Sequence, residues 1–161
     1  MKRELWLVRH GRTDWNQERR FQGRTDHALN SEGRREAEML FPILRSQTYA
    51  GVWSSQRLRS LETARLAFGE PTIDWRLDEF DFGEIEGMIW NDLAPEVQKS
   101  LLEFETFVAP GGESVMDFRQ RIEAFVSELG AGRHLIFSHG GVIRVLTGIT
   151  PDPGQYLVIS A

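Results

Sequence analysis

The chain has 161 residues, 40% hydrophobic and 27% charged, with a formal net charge of −5; this is enough for one core, and the acidic balance argues against a nucleic acid or anionic membrane as partner. The absence of cysteine excludes disulfides, thiol catalysis and thiolate zinc sites. No apolar run is long enough to span a bilayer or to form a signal peptide, so a cytoplasmic protein is expected, monomeric or homodimeric, as a single domain over residues 1–161.

Residues 4–8 form a short apolar strand, and "RHG" follows it at once. A cation and an imidazole thus stand where the chain leaves the strand, which suits either an ordinary turn or a site that receives an anion. Lys2 and Lys99 are the only lysines; every other basic residue is arginine, the better fit to planar, bidentate oxyanion recognition.

Asn30 is placed to cap a helix whose apolar positions Ala37, Leu40, Phe41 and Leu44 follow the helical repeat, and Pro42 is expected to distort its last turns. Residues 51–53 read as a second buried strand. The helix "SSQRLRSLETARLAF" follows, with Leu58, Leu61, Leu66 and Phe68 as its expected core. An acidic stretch, "RLDEFDFGEIEGM", leads into a segment over 80–112 that carries Trp90, Leu93, Leu101, Phe104 and Phe107 and is expected to form a small roof. Ser114, with Asp117 three residues on, starts a helix with the stripe Phe118, Ile122, Phe125, Val126 and Leu129, ended by Gly130 and Gly132. "HLIFS" is a buried strand, "HGGVIRVL" a helix and "YLVIS" a last strand. This alternation predicts a three-layer α/β/α fold with a mainly parallel sheet, whose ligands gather beyond the carboxyl ends of the strands.

Three strand ends then converge. Arg9-His10 follows the first, Ser54-Ser55-Gln56-Arg57-Leu58-Arg59 the second and Ser138-His139-Gly140-Gly141 a third. Two imidazoles face to face among arginines suit a phosphoryl group, one of them as a nucleophile kept neutral by its cationic neighbours. No histidine spacing typical of a metal site occurs, so neither metal nor other cofactor is expected. The leaving oxygen needs a proton. Asp78, Glu79, Asp81, Glu84 and Glu86 all stand near Phe80 and Phe82, and composition does not choose among them.

The stretch "VRHGRTDWN" resembles the signature of the histidine phosphatase superfamily, the phosphoglycerate mutase-like proteins. "FQGRTDHALNSEG", "SSQRLRSLETA", "LDEFDFGEIEG", "PGGES" and "SHGGVIR" are similar to its further blocks, in order along nearly the whole chain. The resemblance implies His10 as the nucleophile, Glu79 as proton donor and then base, and His139 with Arg9 and Arg59 around the phosphoryl group. It also implies Asn16 and Gly140 as further donors, with Gln22 and Gly23 lining the substrate side. Arg57 stands where the family more often has an apolar residue, and Arg12 replaces a frequent glutamate or glutamine; Arg12 either adds positive potential at the mouth or pairs with Asp14.

Residues 77–98 hold no lysine or arginine, where a mutase is expected to grip a carboxylate, so a small-molecule phosphatase is the expected activity. The blocks look most like the α-ribazole phosphatases and their broad-specificity relatives. A cofactor-dependent phosphoglycerate mutase is the alternative, and a domain that only binds a phosphate ligand is an alternative of another class.

Overall fold

The computed structural model describes residues 2–161. Its elements are β1 (Arg3–Arg9), α1 (Asp14–Gln17), α2 (Ser31–Arg45), β2 (Gly51–Ser54), α3 (Leu58–Ala67), β3 (Thr72–Ile73), α4 (Pro95–Leu102), α5 (Val115–Glu128), β4 (Gly132–Ser138), α6 (Gly140–Thr147) and β5 (Tyr156–Ser160), with short 3₁₀ turns between β3 and α5. The sheet order is β3-β2-β4-β1-β5. Every neighbouring pair is parallel except β1 with β5. The expected three-layer α/β/α fold is therefore present, with an antiparallel strand at one edge.

Alternation along the strands divides the core between the two faces. Leu5, Leu7 and Ile136 pack with Phe118, Ile122 and Phe125 of α5 and with Val142 and Ile143 of α6. Val8, Leu135 and Phe137 pack on the other face with Leu40 and Leu44 of α2 and with Ala64 and Ala67 of α3. The segment 80–112 is not a separate layer. Phe80, Ile85, Leu93 and Phe107 are buried in the α5-side cluster, so this segment is anchored in the core at both ends.

Several expectations need correction. Phe41 is 46% exposed, so the buried stripe of α2 is Ala37, Leu40 and Leu44, joined by Gly33. Pro42 does not disturb α2, which continues to Arg45. Pro42 and Glu38 both lie on the solvent side, so water can serve the Glu38 carbonyl that the missing N–H leaves unpaired. None of the residues expected as the core of α3 is buried: Leu58, Leu61 and Leu66, with Phe68 just after the helix, are all only half-buried. Its buried face is Arg59, Ser60, Thr63, Ala64 and Ala67. β2 is likewise half-buried until Ser54. Helix α5 keeps its expected stripe except that Val126 is only partly covered, and Ser114 caps it by accepting from the Asp117 N–H at 3.0 Å.

Candidate active site

Strand register brings the two histidines together. Arg9 of β1 pairs with Ser138 of β4, so the next residue on each strand, His10 and His139, leaves the same sheet edge side by side. The His10 N–H donates to the Ser138 carbonyl at 3.0 Å, which continues the ladder one step into the site. The ring centroids are 5.2 Å apart with the planes at 62°. The contact is thus edge-on, where the sequence suggested facing rings, because adjacent parallel strands place the two side chains beside each other.

The residue after His10 is fixed by its neighbours. The Gly11 N–H donates to Thr63 Oγ1 at 3.0 Å, which anchors this turn to α3. A Cβ on Gly11 would lie 2.3 Å from the Gly33 carbonyl oxygen, so the turn admits only glycine against the start of α2.

Hydrogen bonding assigns the tautomer of His10. Nδ1 lies 2.7 Å from the Gly11 carbonyl oxygen, which can only accept, so Nδ1 carries the proton and Nε2 keeps its lone pair. The ring is 2% exposed. Burial, with the cations Arg59 and Arg9 nearby, holds its pKa well below the ordinary histidine value. The group is neutral, and Nε2 is the nitrogen with a lone pair free to react.

Arg59 is fully buried and belongs to the same cup. It donates to the carbonyls of Thr25 at 3.0 Å and Gly23 at 2.8 Å, holding the loop that carries Gln22 and Gly23 over the site. Burial lowers its pKa to about 10, which leaves it cationic at neutral pH. Its Nε is buried with no partner, as is Nε of Arg9, whose Nη1 donates to the Pro151 carbonyl at 2.7 Å. Unpaired donors of buried cations are costly unless an anion completes them.

Glu79 lies at the start of α6. Its carboxylate accepts the Gly141 N–H at 3.0 Å and the Phe80 N–H at 2.8 Å. A Cβ on Gly141 would stand 2.2 Å from Glu79 Oε1, so the glycine makes room for the carboxylate. Arg121 of α5 steadies the segment from behind, donating to the carbonyls of Arg76, Asp78 and Glu79. The sequence marked Gly141 only as part of the third strand end, with no role, and did not mark Arg121. The second glycine of "HGG" was the available signal for Gly141; nothing in the spacing of α5 marks Arg121.

The remaining expected residues fall as follows. Asn16 Oδ1 accepts from the Thr13 N–H at 3.0 Å and closes the cap of α1. Gln22 is buried and accepts from Thr13 Oγ1 at 2.8 Å. Both backbone polar groups of Gly23 are engaged, its N–H by Glu86 Oε1 at 2.7 Å and its carbonyl by Arg59. Gly140 is the first residue of α6 and packs on Arg9, which places its backbone at the cup. Arg12 pairs with Glu32 and Glu36 and not with Asp14. Arg57 lies outside the cup and pairs with Asp78 at 3.1 Å. Glu84 is exposed and lies against Gly111.

A cavity of about 390 Å³ opens above the cup. Arg9, Glu79, Gly140 and Gly141 form its floor, and Phe21, Phe80, Phe82, Phe104 and Phe107 form most of its wall. Neither imidazole lines this cavity; His139 adjoins its Gly140 in the chain and His10 lies beside His139. One further cation lines the wall: Arg144 of α6, stacked on Phe104 with its guanidinium carbon 4.7 Å from the ring centroid. Sequence reasoning searched the roof segment for such a cation and missed this one, because it comes from the helix after His139. Among the described residues no group of three or more histidine or acidic side chains is arranged to hold a metal ion.

The sequence profile of the histidine phosphatase superfamily (branch 1) matches residues 5–152. The chain belongs to the histidine phosphatase superfamily. It is therefore an enzyme of phosphoryl transfer. The chain is 33% identical to phosphoglycerate mutase-like protein 4 of Arabidopsis thaliana, over 89% of this chain and 69% of that protein. Among solved structures it is similar to TTHB049 from Thermus thermophilus, with a TM-score of 0.89 and 39% identity over 97% of this chain and 92% of that one. An Escherichia coli K-12 protein provisionally assigned as an alpha-ribazole-5'-P phosphatase gives a TM-score of 0.86 at 26% identity, over 99% of this chain and 91% of that one. No helix among the described residues is long and apolar enough to cross a membrane.

Proposed function

We propose that this histidine phosphatase hydrolyses a small phosphate monoester with an apolar or ring-shaped leaving group, passing through a phosphohistidine at His10. The observation that carries the proposal is the neutral His10 with a bare Nε2, set beside two arginines whose buried Nε donors have no partner. Nε2 attacks phosphorus as the bond to the leaving oxygen breaks, and the protonated Glu79 gives that oxygen its proton. Glu79, now a carboxylate, takes a proton from water as the water oxygen attacks phosphorus and the P–N bond breaks, which returns His10 neutral. Arg9, Arg59, His139, Asn16 and the Gly140 N–H supply donors to the three equatorial oxygens. Gln22 and Gly23 bound the substrate side of the cup.

The aromatic wall favours an apolar leaving group, and α-ribazole 5'-phosphate is one metabolite of that shape. Arg144 supports a second reading, because a cation on the wall could grip the carboxylate of a phosphoglycerate and so serve a mutase. A panel containing α-ribazole 5'-phosphate, both phosphoglycerates and an aryl phosphate, followed by ³¹P NMR, separates the readings. Release of inorganic phosphate is the expected outcome. Interconversion of the phosphoglycerates without release identifies a mutase, and binding without turnover identifies a phosphate-binding domain. Chelators are expected to leave the rate unchanged.

A further inference from the structure

Behind His139 stands a buried chain of polar groups that the reaction as derived does not use. His139 Nε2 lies 2.8 Å from Ser55 Oγ, and Ser55 Oγ donates to Asp78 Oδ1 at 2.8 Å. His139 is fully buried, Ser55 is buried, and Asp78 is 7% exposed. The single hydroxyl proton of Ser55 is spent on Asp78, and the Arg57 N–H donates to the same oxygen at 3.1 Å. His139 must then be the donor in its own contact, so Nε2 carries its proton and Nδ1 is bare. Nδ1 is buried and has no partner.

We infer that Asp78, acting through Ser55, positions His139 and enables its Nδ1 to accept a proton when a phosphate group enters the cup. In the free protein His139 is neutral: burial, Arg59, His10, Arg9 and Arg121 all disfavour the cation. A neutral ring in this tautomer offers a phosphate oxygen only a lone pair, which repels it. Once protonated from solvent, Nδ1 becomes a donor to that oxygen while Nε2 stays bonded to Ser55. The bound phosphate and Asp78 then stabilise the imidazolium from opposite sides. Glu79 is the other carboxylate near this ring, held on the Gly141 N–H, and Arg57 and Gln56 hold Asp78 at 3.1 Å and 2.6 Å. Asp78 and Ser55 are positioning residues, since neither reaches the reacting atoms. The inference rests on His139 lying at the phosphoryl group, as proposed above.

The test is imidazole ¹⁵N NMR of histidine-labelled protein, free and saturated with inorganic phosphate. The free protein should show His139 protonated at Nε2 and His10 protonated at Nδ1. Phosphate at neutral pH should convert His139 alone to the doubly protonated form. Asp78→Asn should keep the Nε2 proton yet lower the pH at which the bound form loses its second proton by about one unit. The alkaline limb of kcat should move with it. Ser55→Ala should abolish the tautomer preference. A wild-type His139 protonated at Nδ1 in the free state overturns the relay without recourse to any variant, and a bound-state titration unmoved in folded, phosphate-binding Asp78→Asn protein overturns it as well. A protein that shows these shifts with phosphate but hydrolyses no ester keeps the relay and overturns the phosphatase reading instead.

Discussion

The floor and the wall of the cavity are built from opposite kinds of side chain. The floor and the cup behind it bring together charged and hydrogen-bonding groups that are almost entirely buried: His10, Arg59, His139 and Asp78. The wall is aromatic and partly open, and its Arg144 is exposed with no carboxylate partner among the described residues. Burying unpaired polar groups costs stability, so their presence at one sheet edge reports a ligand that completes them. Aromatic side chains leave no hydrogen bond unmade when they line a cavity, and they report only the shape and polarity of what they cover. The floor therefore fixes the chemistry, and the wall decides which ester is admitted.

Changes to the floor should act on every substrate and changes to the wall on some. His10→Ala should lower kcat by at least about 10³-fold on all esters, with the fold intact by circular dichroism; near-normal turnover would remove the covalent step. Glu79→Gln should cost on the order of 10²-fold or more on alkyl esters and much less on an aryl ester with a good leaving group. Equal losses on both would move the acid role elsewhere. Gly141→Ala, which must push the Glu79 carboxylate aside, should reproduce that leaving-group pattern at about tenfold. On the wall, Arg144→Gln should weaken kcat/KM by about tenfold for esters whose leaving group carries a carboxylate and leave neutral ones unchanged. A uniform loss would place Arg144 with the floor.

The smallest effect is on stability. His10 and His139 are neutral in the fold because burial, first of all, depresses their pKa values. Once unfolded they titrate near about 6.5, so between the two values unfolding takes up protons. Stability is complete above about pH 6.5 and falls as the pH drops below it, by at most about 1.4 kcal/mol per pH unit for each histidine. Urea midpoints measured across that range should fall less steeply for His139→Gln than for the parent. Parallel slopes would mean that the ring is not buried neutral.

The sheet and both histidines were legible in the sequence because a compact apolar run ending in "RHG" or "SHGG" encodes strand, strand end and site within a few residues. Helix α3 was misread for a physical reason. Its buried face carries Arg59, Ser60 and Thr63 because that face serves the cup, so hydrophobic spacing pointed to the wrong side. Arg57 and Asp78 looked unrelated in the chain and turn out to hold each other. Arg121, Gly141 and Arg144 stayed hidden because their roles arise only when α5 and α6 pack against the segment that carries Glu79 and against the roof.

The adjacency of β1 and β4 has a consequence for biosynthesis. His10 leaves the ribosome 129 positions ahead of His139. The nascent chain thus carries an unshielded, titrating histidine with no cationic cup around it, and on the proposed mechanism it stays inert towards phosphate esters until nearly all of the domain has been made.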